Sequence, residues 1–300
     1  MRQLRYRIVD VFTDRPFSGN PLAIVLDAEG LSSSQLLALA REFNLSETAF
    51  PLPGFPAADY ALRIFMPGKE LPFAGHPSVG AAWVMATEGR VAMAAPSTTV
   101  HMACGAGVLP LEISVAADGR VDVITLTAWA PSVGPPLDPT PVLAGLGLGR
   151  SDLAPDRAFR ICSTGLPQAF LCVEADAVGR VVVDAAVLGR AAAEGGWETV
   201  SVFSWSSVAG SAHTRVFADG LGWGEDPATG SAASALGAWL AAEGLVRPSG
   251  RSTYVVRQGL EIGRDSSLFG TVDTVDGVAR LCQVAGRVVP VASGEIEVPR

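Results

Sequence analysis

The sequence predicts an α+β fold of two pseudosymmetric halves, each a curved, mostly antiparallel, barrel-like sheet around a central helix, with a cleft between them. Three observations carry this. At 300 residues, 49% hydrophobic and only 17% charged, the chain has core material for two domains of about 150 residues. Short strand-like runs alternate with a few helix-like ones. And the second half replays the first at a shift of 155 positions.

The elements follow in order. Residues 6–12 alternate in character, a turn "TDRPFSGNP" follows, and "LAIVL" reads as the return strand of a hairpin. "SSSQLLALAREFN" has serines at 32–34 to cap it, apolar residues at Leu36, Leu37, Leu39 and Ala40, and Asn44 to close a short amphipathic helix. "ETAFPL" and "YALRIFMP" read as strands, and "PSVGAAWVMATEG" as the next helix, ending at Gly89. Short strands then lead to the Pro/Gly-rich "WAPSVGPPLDPTP" (residues 129–141), the best interdomain connection in the chain. The halves are accordingly 1–133 and 134–300, with a return of the last strand to the N-terminal half left open.

The repeat is clearest where "ELPFAGHPSVGAAWVMATEGRV" (70–91) is set over "EDPATGSAASALGAWLAAEGLV" (225–246): Glu70/Glu225, Pro72/Pro227, Gly75/Gly230, Ala86/Ala241, Glu88/Glu243, Gly89/Gly244 and Val91/Val246 coincide. Earlier, "SGNPLAIV" (18–25) echoes "TGLPQAFL" (164–171).

Composition excludes several classes. A formal charge of −8 without any Lys/Arg block argues against nucleic acid or an anionic membrane surface as partner. The start of the sequence has no apolar signal core, and no run of ~20 apolar residues is free of charges and turns, so the chain reads as cytoplasmic. The four cysteines are scattered and read as buried thiols, and the three histidines have no ligand spacing, so no metal site is predicted.

Chemistry concentrates at the paired loops. Pro77 suits the first helical position, which makes His76 the N-cap and Gly75 the turn before it; Ser231 falls under His76 as the N-cap of the second helix, after Gly230. Each loop then offers backbone N–H groups and the positive end of a helix dipole to an anion. With no P-loop lysine or dinucleotide fingerprint, that anion reads as a carboxylate. Three proton carriers surround the cradle. His76 is biased towards neutral imidazole by the dipole. Asp226 stands where the first half has Leu71, and Glu47 lies at the edge of an apolar strand, where a carboxyl pKa rises. Each also has a purely structural reading as a turn or capping residue.

At "VDVFTDRPFSGNPLAIV" (9–25), "NLSETAF" (44–50), "FAGHPSVGAA" (73–82) and "EDPATGSAAS" (225–234) the chain resembles the PhzF-like family, named for the phenazine biosynthesis isomerase. The resemblance implies a diaminopimelate-epimerase-like fold. It also implies cofactor-independent isomerisation of a small carboxylate-bearing substrate, by a homodimer. It places the family's catalytic glutamate on Glu47, its glycine–histidine pair on Gly75 and His76, its aspartate on Asp226, its second-turn serine on Ser231, and a pocket-lining asparagine on Asn20. Related epimerases and proline racemases use two cysteines at these turns; here neither turn contains one, which favours a proton shuttle through Glu47 over a two-thiol racemase. A racemase or epimerase using carboxylates and a non-catalytic small-molecule binder on the same scaffold stay open as alternatives. His213 and Arg215, just before the second turn, are candidates for the pocket wall.

Overall fold

The structure, a computed structural model, describes residues 2–300. The chain packs into two compact units, residues 2–127 with 285–300, and residues 128–284. Among the described residues no helix is long and apolar enough to cross a membrane.

In the first unit the strands are β1 (Gln3–Val11), β2 (Asn20–Val25), β3 (Thr48–Phe55), β4 (Ala58–Phe65), the short β5 (Glu70–Leu71), β6 (Ser97–Cys104), β7 (Gly107–Val115) and β8 (Val121–Thr127), with helices α1 (Ser33–Phe43) and α2 (Gly75–Thr87). The second unit runs β9 (Ser132–Val133), α3 (Thr140–Gly145), β10 (Arg160–Ser163), β11 (Pro167–Cys172), α4 (Ala175–Val178), α5 (Ala185–Gly195), β12 (Thr199–Ser206), β13 (Ser211–Ala218), β14 (Gly224–Asp226), α6 (Gly230–Ala242), β15 (Gly250–Gln258), β16 (Ser266–Val275) and β17 (Val278–Gly286). The last strand, β18 (Val288–Glu297), pairs antiparallel with β1.

The duplication is explicit in the pairing. From β1 the first unit runs antiparallel to β2, parallel to β3, antiparallel to β4, parallel to β6 and antiparallel to β7. From β10 the second runs antiparallel to β11, parallel to β12, antiparallel to β13, parallel to β15 and antiparallel to β16. The same signs recur in the same order.

The two long, uniformly apolar helices are the hubs. All of α2 except Trp83 and Thr87 is buried, and all of α6 except Ser231 and Ala242. A helix apolar all round has no solvent face, so strands wrap it. Within the first unit α2 touches β1 to β4 and also β7, β8 and β18. Small residues permit this closeness: a Cβ on Gly80 would lie 2.6 Å from Leu22 Cδ2, and one on Gly237 2.7 Å from the Tyr254 hydroxyl. By contrast α1 is amphipathic, closed by a Ser32–Gln35 capping box and by Asn44 in the left-handed conformation (φ 50°), as its sequence predicts.

The repeated glutamates prove structural. Glu88 and Glu243 follow the last turns of α2 and α6, the negative end of each dipole, and each is held by an arginine, from β1 in the first unit and from β10 in the second. Arg7 Nε donates to Glu88 Oε1 at 2.8 Å, and Arg160 Nε to Glu243 Oε1 at 2.9 Å. Glu70 and Glu225 likewise pair with Arg63 and Arg215, each guanidinium lying 5.1 Å from the ring of Phe65 or Phe217.

Candidate active site

In the first unit, Glu47 and His76 come together from elements distant in sequence. Asn44 reverses the chain after α1 and feeds β3, whose first residues run parallel to β2 with Ala23 opposite Thr48. Glu47 therefore sits just before β3, at the same end of the sheet as Asn20, which opens β2 and is fully buried. The approach to Asn20 is tightly turned: Phe17 N–H donates to the Asp10 carboxylate at 2.7 Å, and Gly19 (φ 66°) leaves no room for a Cβ, which would lie 2.4 Å from Val11 O. From the other side, α2 begins with Gly75, and His76 is its second residue.

Glu47 Oε2 lies 3.6 Å from His76 Nε2, with 15% and 6% of the two side chains exposed. That separation is too long for a direct hydrogen bond. The Glu47 Oε2 atom and the hydroxyl of Thr48 are buried without a hydrogen-bond partner among the described residues. Burial pushes the Glu47 carboxyl up to about 6, opposed by the Ser46 side chain beside it. A carboxyl poised there is ionised at neutral pH yet takes and returns a proton readily.

The helix starts correct one expectation. His76 and Ser231 are not N-caps. Ala74 (φ −152°, ψ 143°) and Thr229 (φ −109°, ψ 93°) are the extended residues before α2 and α6, which puts His76 and Ser231 at the second helical position and Pro77 at the third. Proline fits anywhere in the first turn, since no N–H there has an intrahelical partner, so it does not fix the cap. Neither Ala74 nor Thr229 caps its helix with a side chain.

In the second unit Asp226 ends β14, opposite Val216, and its carboxylate accepts a hydrogen bond from Thr229 Oγ1. A residue that the sequence reading missed organises this turn. Gln258, 1% exposed, donates from Nε2 to Asp226 O at 2.7 Å and to Thr229 Oγ1 at 3.0 Å, while its Oε1 accepts from Thr229 N–H at 3.1 Å. These partners fix the amide's orientation. Ser266 Oγ braces the same turn by donating to Pro227 O at 3.0 Å. Gly259, next to it, and Gly105 in the first unit make the same close approach, each packing against the proline of its unit's turn, Pro227 or Pro72.

The two pocket-wall candidates have other employment. Arg215 makes a buried pair with Glu225 and donates to Val181 O at 3.1 Å, so it fastens the 178–181 segment. His213 Nε2 lies 2.9 Å from Glu261 Oε1. No cysteine forms a disulfide, and burial pushes the thiols of Cys162, Cys172 and Cys282 up to about 12, far from thiolate reactivity.

Known proteins resemble this chain over nearly its whole length. An isomerase of Mesorhizobium japonicum is 34% identical, covering 99% of each chain. The trans-2,3-dihydro-3-hydroxyanthranilate isomerase of Pseudomonas aeruginosa is 30% identical over 97% of this chain and 98% of its own. Among solved structures, the PhzF-family protein of Bacillus anthracis superposes with a TM-score of 0.86 at 26% identity, over 99% of this chain and 100% of that one. A proline racemase from Agrobacterium radiobacter shares the fold at a TM-score of 0.68 and 18% identity, covering 99% of this chain and 93% of its own. The profile of the phenazine biosynthesis-like (PhzC–PhzF) family matches residues 9–294, and the chain belongs to that family.

Proposed function

We propose that the protein is a cofactor-independent isomerase that moves a proton between two carbons of a small, unsaturated, carboxylate-bearing substrate, with Glu47 as the shuttle. The observation that carries this reading is the buried Glu47 carboxyl, raised to about 6 and facing His76 Nε2 at 3.6 Å. Relatives named as isomerases across the whole chain support it, one of them for an anthranilate derivative, itself a carboxylate.

In this reading the backbone N–H groups at Gly75–His76 hold the substrate carboxylate, and Asn20 lines the site. The Glu47 carboxylate removes a proton from an activated carbon; the C–H electron pair moves into the conjugated system and the double bond shifts. The Glu47 carboxylic acid then returns the proton to another carbon on the same face. His76 orients the substrate and exchanges protons with its heteroatoms; in the second unit Asp226, steadied by Thr229 and Gln258, is the further candidate proton carrier. No net charge or electron is gained.

Solvent deuterium exchange followed by NMR tests this with small unsaturated amino- and hydroxy-carboxylates. Incorporation at a carbon with a displaced double bond is the expected result. Interconversion of stereoisomers without a shifted double bond would move the protein to the carboxylate-epimerase reading. Tight binding with no exchange would make it a binder.

A further inference from the structure

Behind the Asp226 turn, the second unit contains a small cavity that the proposed reaction does not use. It lies under the first turns of α6, between Ala232, Ala233 and Leu236 on the helix and the inner face of the sheet. Space for the centre of a water-sized sphere there is about 10 Å³, which is what one water molecule needs. Most of the lining is apolar, but three polar side chains reach it: Ser201, Thr214 and Gln258.

Their placement follows from register. Ser201 on β12 is opposite Val216, and Thr214 on β13 is opposite Phe203, so the two hydroxyls are diagonal neighbours on one face. Thr214 in turn faces Gln258 across the parallel β13–β15 pair. Ser201 and Thr214 are 1% and 3% exposed, and neither hydroxyl has a hydrogen-bond partner among the described residues. Two unpaired hydroxyls in an apolar wall would each give up hydration with nothing in return. The Gln258 amide spends both N–H donors and one lone pair of Oε1 on Asp226 and Thr229, which leaves the second lone pair of that oxygen.

We infer that this cavity is a binding site for a single structural water, bridged between Ser201 Oγ, Thr214 Oγ1 and Gln258 Oε1. Diagonal neighbours in a sheet stand too far apart for a direct hydroxyl–hydroxyl bond and suitably for one bridging molecule. A water there makes the usual three hydrogen bonds of a buried solvent molecule. It satisfies both hydroxyls and ties β12 and β13 to the glutamine that braces the Asp226 turn. The hydration site stands whether or not Asp226 takes part in proton transfer.

A crystal structure of the full chain at a resolution that shows ordered solvent is the deciding experiment. One peak within hydrogen-bond distance of Ser201 Oγ and Thr214 Oγ1 is expected; a solvent-free cavity with the two hydroxyls bonded to strand carbonyls overturns the inference. A double-substitution cycle provides a second readout in solution. Ser201→Ala and Thr214→Val should each lower Tm by about 3 °C. Together they should lower it by less than the sum, because the first already dismantles the bridge. Strict additivity would show that the two hydroxyls share no molecule, and would count against the site.

Discussion

Glu47 sets two pH dependences of opposite practical sense. As the base it must be ionised, so kcat/KM for the isomerised substrate should fall on the acid side with an apparent pKa of about 6. For stability the sign reverses. The folded carboxyl, at about 6, binds its proton more tightly than the ordinary group at 4.5, so ionising it costs folding free energy. The penalty is absent below pH 4.5, grows as pH rises through 6 and levels at about 2 kcal/mol. Glu47→Gln should therefore lose about 10²–10⁴ in turnover while unfolding at a higher temperature than the native chain at pH 7.5. The two melting curves should converge near pH 4.5; a less stable variant at pH 7.5 would show that the carboxylate is stabilised by partners instead. Glu47, His76 and Asp226 were legible in the sequence because short local motifs carry them. Gln258 was not: its role depends on a β13–β15 pairing that brings it to a turn 29 residues earlier in sequence, and nothing beside it marks that meeting.

At the scale of elements, the central helices depend on what they lack. Gly80→Ala would drive a methyl into Leu22 and Val11, and Gly237→Ala into Tyr254 and Val272. Each should cost about 1–3 kcal/mol in urea unfolding, in helices where alanine ordinarily helps. The sequence showed these segments to be helical and buried, since their apolar residues have no polar face. It did not place the first turn of α2, because a proline at the third position looks the same as one at the first. The Asp226 turn gives a second test at this scale. Gln258→Glu keeps the size of the side chain but cannot donate to Asp226 O, and should lower kcat about tenfold or more with KM changed far less, and lower Tm because it buries a carboxylate against a carbonyl oxygen. An unchanged kcat would show that Thr229 alone steadies the aspartate.

Across the whole molecule, duplication supplies an internal control for electrostatics. Arg63–Glu70 and Arg215–Glu225 are the same motif, but the first pair keeps 27% and 40% of its side chains exposed and the second only 12% and 6%. Arg63→Ala should cost at most about 1 kcal/mol, because water already screens that pair. Arg215→Ala should cost about 3–5 kcal/mol, because it strands a buried carboxylate. Equal losses would mean that burial does not govern these pairs. The repeat itself was legible at Glu70/Glu225 and Glu88/Glu243, though their partner arginines lie too far off in sequence to mark these identities as ion pairs at helix and strand ends.

The pairing of β18 with β1 bears on how the chain is made. During synthesis the second unit, an unbroken stretch ending at residue 284, can assemble while the first still waits for one of its strands. Until β18 emerges, β1 keeps an unsatisfied edge available to neighbouring nascent chains, the kind of edge that seeds aggregation. The usual N-terminal-first order of domain maturation is thereby inverted, and the last thirteen or so residues act as the closing step for the first. A chain stopped after residue 284 should yield a protease-resistant fragment from the second unit and an aggregation-prone remainder. Adding a peptide of residues 285–300 in trans should restore the solubility of the first.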